Sequence, residues 1–178
     1  TTTGLVVNGY ETVTINGSGT GAATSQDASV ITLTADTGGT STLNLTGSNT
    51  FTTSGAITAN VISASGLTGT AKLTMAAAAA SGLTSITGSA NADTLLGDAS
   101  SSIDGGAGND TITGGSGNDT LVGSAGDDSI TAAAGNDSIS AGAGNDSVTI
   151  AGNLTAVDTL AGGDGTDTLS IGTAAACR

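Results

Sequence analysis

The sequence predicts an all-β protein whose chain winds as a parallel β-solenoid, on three observations. A nine-residue unit repeats five times without interruption between residues 105 and 149, and a fixed short period indicates stacked coils. Residues 1–87 contain short stretches in which threonine alternates with aliphatic residues, as in strands. The chain has one Phe, one Tyr, no Trp and no Pro, which suits a core of stacked aliphatic rows.

Residues 1–87 are rich in Thr, Ser, Ala and Gly, and their strand-like stretches recur at irregular intervals. Examples are residues 12–15, 30–34, 42–46 and 72–75. The alternation predicts strands with one buried face. We expect a Thr/Ser-rich irregular parallel β-solenoid here, and a small β-sandwich is the alternative.

The alanine run at residues 76–80 interrupts this pattern. Alanine is the best helix former, so the run favours a short helix. The alternative is a tightly packed corner of the solenoid, where only a methyl group fits.

The nine-residue unit organises residues 88–178. Its five uninterrupted copies read GGAGNDTIT, GGSGNDTLV, GSAGDDSIT, AAAGNDSIS and AGAGNDSVT, with Gly fourth, Asp sixth and an aliphatic residue eighth. An earlier copy, GSANADTLL, starts at Gly88, and the next unit, GDASSSID, is one residue short and lacks the aspartate. The register breaks over residues 150–161 and resumes with GGDGTDTLS at residues 162–170. We therefore divide the chain into residues 1–87 and 88–178, with an irregular insertion at 150–161.

The eighth place of each unit is predicted to supply the core. Side chains alternate between the two faces of a strand, so an inward aliphatic residue has outward neighbours. Here those neighbours are mostly Thr or Ser. The inward residues are expected to be Leu95, Ile112, Leu121, Ile130, Ile139, Val148 and Leu169.

The glycines of the unit indicate a tight turn whose backbone angles a Cβ would forbid. Asn109, Asn118, Asn136 and Asn145 follow the fourth-place glycine, and asparagine tolerates left-handed angles better than most residues. A turn of this kind exposes its carbonyl oxygens. The glycines expected to build these turns are Gly106, Gly108, Gly115, Gly117, Gly126, Gly135, Gly142 and Gly144.

The formal net charge of −13 is concentrated in the second part of the chain. Residues 1–87 carry three carboxylates and one Lys, which sum to −2, whereas residues 88–178 carry 12 Asp and one Arg, which sum to −11. Salt bridges cannot neutralise this excess. Calcium is a hard cation that binds six or more oxygens from carboxylates and carbonyls. The predicted calcium ligands are therefore the turn glycines and the sixth-place aspartates Asp93, Asp110, Asp119, Asp128, Asp137, Asp146 and Asp167.

Stacking makes these carboxylates a problem without metal. Coils about 4.8 Å apart would bring aspartates close enough to repel by about 3–4 kcal/mol per pair at an effective dielectric constant of about 20. The repeats are therefore expected to be unfolded or loose without calcium, and calcium binding becomes a source of folding free energy. Extracellular calcium modules work at about 10⁻⁴–10⁻³ M, far above cytosolic levels, so we expect an extracellular location.

Several classes of function are disfavoured. The acidic balance opposes nucleic-acid binding, which needs basic patches. There is no His and only one Lys, so neither a Ser-His-Asp triad nor a phosphate-binding Gly-Lys loop can be built, and we expect no enzyme. The single cysteine, Cys177, allows no disulfide within the chain. No apolar run is long enough to span a membrane.

The units resemble the nonapeptide repeats of RTX proteins, with consensus GGxGxDxUx, over roughly residues 88–170. The resemblance implies a right-handed parallel β-roll with two units per coil and calcium between turns stacked on the same side. It implies one edge with Asp110, Asp128 and Asp146, extended by Asp93. The other edge would hold Asp119 and Asp137, joined by Asp167.

Four units depart from this consensus. Asn91 replaces the fourth-place glycine, so the first unit is expected to be a weaker site. Ala132 and Ala141 stand at the first place, and Ser124 and Ala133 at the second. Slight strain is expected in those turns.

The Thr-, Ser-, Ala- and Gly-rich texture of the whole chain is similar to that of RTX-type surface-layer proteins. This implies a structural extracellular protein, part of a calcium-dependent, self-assembling bacterial surface layer or filament exported by type I secretion. The alternatives are a folding and secretion module of an exported enzyme, or the stalk of a type I secreted adhesin. Expected partners are calcium ions and copies of the same chain, with cell-surface polysaccharide as a further candidate.

Overall fold

A computed structural model describes residues 5–9, 11–17, 25–28, 31–34, 39–53, 57–75, 82–151, 154 and 158–172. These residues form nineteen β-strands and no helix. The alanine run at 76–80, where a short helix is expected, and Cys177 lie outside the described residues. No described helix is long and apolar enough to cross a membrane.

Strands β1 to β9 form the N-terminal solenoid (residues 5–75), and β11 to β19 form the C-terminal roll (residues 88–172), with β10 between them. In chain order the strands are β1 Leu5–Asn8, β2 Thr12–Asn16, β3 Ser25–Ala28, β4 Ile31–Thr34, β5 Thr42–Gly47, β6 Thr50–Thr53, β7 Ile57–Thr58, β8 Val61–Leu67, β9 Leu73–Met75, β10 Ser85–Thr87, β11 Thr94–Leu96, β12 Ser102–Ala107, β13 Thr111–Thr113, β14 Thr120–Ala125, β15 Ser129–Ala132, β16 Ser138–Ala143, β17 Ser147–Ile150, β18 Thr159–Asp164 and β19 Thr168–Ile171.

Two long sheets of eight strands each run through both parts of the chain. The first long sheet has the order β18-β16-β14-β12-β10-β8-β5-β2, and the second has the order β19-β17-β15-β13-β11-β9-β6-β3. Neighbouring strands pair in parallel, which confirms the predicted parallel β-solenoid. A β-sandwich would have antiparallel sheets.

The two parts differ in how many strands they use per coil. In the N-terminal solenoid, β1, β4 and β7 form a third sheet of three strands, so each coil has three sides. In the C-terminal roll each coil has two strands and two turns. The period of the roll follows from this, because two units of nine residues close one coil.

The core is a pair of aliphatic rows, one per long sheet. The eighth-place residues alternate between the two rows, and their predicted inward position is confirmed for all except the last. Residues on either side, such as Thr111, Ser129 and Ser147, are exposed. The residues of the first row include Leu43, Ile62, Ile86, Ile103, Leu121 and Ile139, and those of the second include Phe51, Leu73, Leu95, Ile112, Ile130 and Val148, all of them buried.

The prediction for Leu169 is wrong. Its side chain is 49% exposed, and Ile171 in the same strand is 52% exposed. Both belong to β19, the last strand of the second long sheet, so no described coil covers them.

Candidate metal centre

Successive turns of the C-terminal roll lie alternately on its two edges. The first edge carries the turns that end at Asp93, Asp110, Asp128, Asp146 and Asp167. The second edge carries those that end at Ser101, Asp119, Asp137 and Asp158. Residues that follow each other on one edge are 17, 18 or 21 positions apart in the chain, which is one coil.

A ladder of hydrogen bonds joins the sixth-place residues along each edge. On the first edge, the backbone N–H of Asp110 donates to Asp128 Oδ1 and that of Asp128 to Asp146 Oδ1, both at 2.8 Å. On the second edge, the N–H of Asp119 donates to Asp137 Oδ1 at 3.0 Å. Each aspartate thus uses one carboxylate oxygen to fix the coil before it.

The prediction that Asp167 joins the second edge is wrong, because Asp146 N–H donates to Asp167 Oδ1 at 3.0 Å. Asp158, within the segment 150–161, takes the next position on the second edge, where it accepts a hydrogen bond from Asp137 N–H at 2.8 Å. Sequence reasoning missed Asp158, although Asp158-Thr159-Leu160 repeats the sixth to eighth places of a unit.

The second carboxylate oxygen has no hydrogen-bond partner in four of these aspartates. Oδ2 is buried and unpaired in Asp110, Asp119, Asp128 and Asp146, whose side chains are at most 2% exposed. A buried ionised oxygen without a partner is costly. These four oxygens therefore need either a proton or a cation, and they are the feature of the fold that points most directly to a metal.

The raised pKa values of these aspartates also show that burial disfavours their ionised form. The pKa of Asp110 is raised to about 7, mainly by burial. The charges of Asp93 and Asp128 also raise this pKa, and the hydrogen bond from Asp93 lowers it. Burial, followed by the charge of Asp137, raises the pKa of Asp119 to about 6. Burial also raises the pKa of Asp128. A nearby divalent cation would reverse this direction, because it favours the ionised form.

The first-place glycines leave room for the unpaired oxygens. A Cβ on Gly114 would lie 2.5 Å from Asp119 Oδ2, and one on Gly105 or Gly123 would overlap the carboxylate of its own turn. A side chain there would displace the carboxylate. The absence of a side chain at these places therefore shapes an oxygen-lined space in these three turns.

The second- and fourth-place glycines let successive turns stack closely. A Cβ on Gly126 would overlap the carbonyl oxygen of Gly108, and the same holds for Gly135 with Gly117 and Gly144 with Gly126. The φ angle of Gly108 is 109° and that of Gly117 is 102°, in the left-handed region that glycine favours. The turns thus place backbone carbonyl oxygens against the next coil, beside the aspartates.

This donor set fits calcium, which takes its ligands from carboxylate and carbonyl oxygens. Within the described ranges, no three or more His, Cys, Asp or Glu side chains come together as a metal-binding group. Carboxylates alone do not make a site here, and carbonyl oxygens of the turns must complete it. The predicted ligand set of aspartates and glycine turns stays a prediction.

The reason predicted for the fifth-place asparagines is wrong. Among the described residues, Ser124 is the only residue other than glycine with a positive φ, at 79°. The asparagines instead form an outer ladder parallel to the aspartates. Asn118 Oδ1 accepts from Asn136 N–H at 2.9 Å, and Asn109 Oδ1 accepts from Asp127 N–H at 3.0 Å. Their side chains therefore cross-link coils at the surface.

The strain expected in the non-consensus turns is present at one place only. Ser124 adopts the left-handed conformation at the second place, and its Oγ donates to Asp104 Oδ1 at 2.9 Å. Ala133, at the same place of the next unit, does not have a positive φ. The first-place residues Ala132 and Ala141 are fully buried within β15 and β16, and they too lack a positive φ.

Comparison with known families agrees with this geometry. The family model of the RTX calcium-binding nonapeptide repeat matches in four copies, at residues 87–121, 101–130, 113–148 and 156–172. These repeats bind calcium ions. No curated protein and no solved structure matches the chain.

Proposed function

Because this chain carries RTX calcium-binding repeats over residues 87–148 and 156–172, we propose that it is a structural extracellular protein. It forms part of a calcium-dependent, self-assembling bacterial surface layer or filament. The observation that carries this proposal is the continuity of the two long sheets, which join all coils into one stack. Such a stack is suited to bear load along its axis and not to enclose a substrate.

Exposed apolar side chains in β19 support self-association. Strands β18 and β19 are the terminal strands of the two long sheets, and Leu169 and Ile171 are about half exposed there. Unpaired strand edges with apolar side chains are templates for pairing with another chain. A second copy that supplies a coil would cover these residues and continue both sheets.

We propose that the calcium ligands are the predicted aspartates from Asp110 onwards, together with Asp158, and carbonyl oxygens of the glycine turns. Calcium supplies the positive charge that the unpaired carboxylate oxygens lack. The chain's own contribution is to hold those oxygens at fixed places, because each Oδ1 is tied to the preceding coil. Metal binding and the ordering of the stack are therefore one event.

This coupling supports an extracellular site of action. A module that needs calcium at about 10⁻⁴–10⁻³ M to fold would stay unfolded in the cytosol and fold outside. An unfolded chain is also suited to export through a narrow channel, such as that of type I secretion. Cell-surface polysaccharide remains a candidate partner for anchoring.

Electron microscopy and sedimentation of the purified chain test the proposal. On addition of millimolar calcium we expect ordered sheets or fibres, which disperse when a chelator is added. The variant Leu169→Glu should block assembly without preventing calcium-induced folding. Leu154→Glu is a matched control, because Leu154 is 42% exposed but lies outside the terminal strands.

A folded, soluble monomer at every calcium concentration would contradict the proposal. It would favour the alternatives, a folding and secretion module of an exported enzyme or the stalk of an adhesin. Neither alternative requires contact between copies of the chain.

A further inference from the structure

We propose that the coil that joins the two parts of the stack is held by hydrogen bonds instead of calcium. This coil is a preformed template on which calcium folds the later coils. This junction coil comprises residues 85–101: β10, the turn that ends at Asp93, β11 and the turn that ends at Ser101. These two residues stand first in the two edge ladders. Neither presents an unpaired carboxylate oxygen.

At the first edge, protein donors occupy both oxygens of Asp93. Oδ1 accepts from Leu73 N–H at 2.6 Å and from Ser89 Oγ at 3.1 Å, and Oδ2 accepts from Ser89 N–H at 2.5 Å. One coil further on, Asp110 Oδ2 has no partner. Hydrogen bonds to the ionised form stabilise a buried carboxylate, so Asp93 needs no cation where Asp110 does.

Two further side chains that fill this turn stand where the repeat has glycine. Ser89 is at the second place, and its backbone and hydroxyl bind Asp93. Asn91 is at the fourth place, and its Nδ2 donates to the carbonyl oxygen of Ala71 at 2.8 Å, while its N–H donates to Ser89 Oγ at 3.1 Å. An amide donor thus fills the place beside the carbonyl that a cation would take.

At the second edge, the first residue of the ladder carries no charge. Ser101 N–H donates to Asp119 Oδ1 at 2.7 Å, as an aspartate would, and Ser101 Oγ accepts from Asp98 N–H at 3.0 Å. The shortened unit therefore keeps the backbone ladder but removes the carboxylate. Asp119 consequently has a like charge from the ladder on one side only, that of Asp137.

The junction coil is also joined to the N-terminal solenoid. Strand β10 pairs with β8, and β11 pairs with β9. Ile86 stands in register with Ile62 on one side and Ile103 on the other, and all three are buried. The edges of β10 and β11 that face away from the N-terminal solenoid can therefore pair with β12 and β13 as these strands fold. In a linear stack, growth on an existing coil avoids the cost of starting a new one.

Calcium titration of the full-length chain by calorimetry tests the ligand assignment. Asp110→Asn should remove a site or weaken it by about tenfold or more, whereas Asp93→Asn should leave the number of bound ions unchanged. An equal loss of ions in both variants would overturn the proposal. If Asp93→Asn does not fold, a gain-of-site variant decides.

That variant is Ser89→Gly combined with Asn91→Gly, which restores the consensus glycines of the turn. The side-chain donors to Asp93 Oδ1 and to the carbonyl oxygen of Ala71 are then removed, while the backbone donors of Leu73 and residue 89 remain. We expect an additional calcium ion to bind in the opened turn. An unchanged number of ions in a folded double variant would contradict the assignment. Gly115→Ser in a later turn is the matched reverse change and should weaken calcium binding.

Hydrogen exchange without and with calcium tests the template. Without calcium, the amides of β10 and β11 should be protected like those of β8 and β9, while those of β13 to β17 exchange freely. As calcium is added, protection should spread from β12 towards β18. Rapid exchange of β10 and β11 without calcium, or protection that begins at β18, would overturn the proposal. Both results are independent of self-assembly, so they leave the proposed function to its own test.

Discussion

The N-terminal solenoid and the C-terminal roll share two sheets, but they satisfy the polar groups of their turns differently. In the N-terminal solenoid, Asn60 links three coils: its Oδ1 accepts from Ser41 N–H at 2.8 Å, and its Nδ2 donates to the carbonyl oxygen of Gly82 at 2.8 Å. In the roll, Asp128 Oδ1 accepts in the same way, but Oδ2 is unpaired. An amide both donates and accepts, whereas a carboxylate only accepts.

From this difference we expect one part of the stack to fold alone and the other to need an ion. In the N-terminal solenoid the neutral amide of Asn60 links the coils, and a third sheet adds core residues such as Ile57. Most strands of the roll have one large buried aliphatic residue, and its turns carry a row of buried carboxylates. We expect calcium to neutralise the unpaired carboxylate oxygens of the roll, as the amide of Asn60 satisfies its neighbours in the N-terminal solenoid. Folding of the roll should therefore depend on the calcium concentration.

Removal of calcium should give the largest effect. With a chelator, we expect the roll to lose its order while the N-terminal solenoid keeps its own, because the unpaired buried carboxylates found among the described residues all lie in the roll. Limited proteolysis would then cut within residues 105–172 and leave a protected N-terminal fragment. Equal resistance of both parts with and without calcium would show that the ion is not needed for folding.

Truncation of the core should separate the two parts by their calcium dependence. Ile130→Ala and Ile62→Ala each remove a fully buried side chain, and each should cost about 2–5 kcal/mol. Ile62→Ala should lower thermal stability at any calcium concentration. Ile130→Ala should instead raise the calcium concentration at which the roll folds, as followed by circular dichroism. Identical behaviour of both variants would mean that the chain folds as one unit.

Asn60 and Asp128 both link coils, so exchanging their amide and carboxylate groups should exchange the behaviour of the two parts of the stack. Asp128→Asn supplies a donor and removes a charge, so the metal-free roll should become more ordered and bind fewer ions. Asn60→Asp removes the donor to Gly82 and should destabilise the N-terminal solenoid by about 1–3 kcal/mol. Calcium titrations of both variants followed by circular dichroism would check this. A metal-free roll that Asp128→Asn disorders further would contradict the explanation.

Acid should stabilise the roll without calcium and destabilise it with calcium. The folded-state pKa of Asp110 is about 7 and that of Asp119 about 6, both above their ordinary value. The metal-free fold therefore binds extra protons, so its stability is highest below the unfolded pKa and is lost as pH rises through about 6–7. With calcium, acid should raise the concentration needed for folding, because protons compete for the same oxygens.

Circular dichroism of dialysed protein between pH 4 and 8 would measure both effects of acid. The double variant Asp110→Asn and Asp119→Asn is the control. Its metal-free signal should depend less on pH. A metal-free roll that loses order on acidification would show that protonation does not relieve the buried carboxylates.

The smallest effect is expected at Ser124, the one described non-glycine residue with a positive φ. Ser124→Gly should relieve the backbone and lose the hydrogen bond to Asp104, for a net change within about 1 kcal/mol. Gly142→Ser, at the equivalent place one coil later, is the control. It should destabilise more, because its Cβ would overlap the carbonyl oxygen of Ser124. Thermal melts in calcium would rank the two variants.

The sequence predicted most of the roll because the repeat encodes its chemistry locally. The inward position of Ile112 and the pairing of Asp110 with Asp128 along one edge both follow from a period of two nine-residue units. Asp167 and Asp158 were not assigned correctly, because the coil that precedes them is lengthened to 21 residues. The edge to which Asp158 and Asp167 belong depends on where the chain rejoins the stack after the lengthened segment, and the sequence does not specify this position.

By itself, the sequence determined that the chain is all-β, that its core is aliphatic and that oxygen ligands recur at each turn, since these properties belong to single units. Only the tertiary structure decided which carboxylate oxygens are paired and which are not. Asp93 and Asp110 have the same place in their units, yet one is fully hydrogen-bonded and the other is left with a buried unpaired oxygen. Ser89, in the same unit as Asp93, supplies two of the donors, and Leu73 in the preceding coil supplies the third. The physical reason is that these hydrogen bonds depend on the folded conformation of the turn and on the packing of neighbouring coils, which the place of a residue in its unit does not specify.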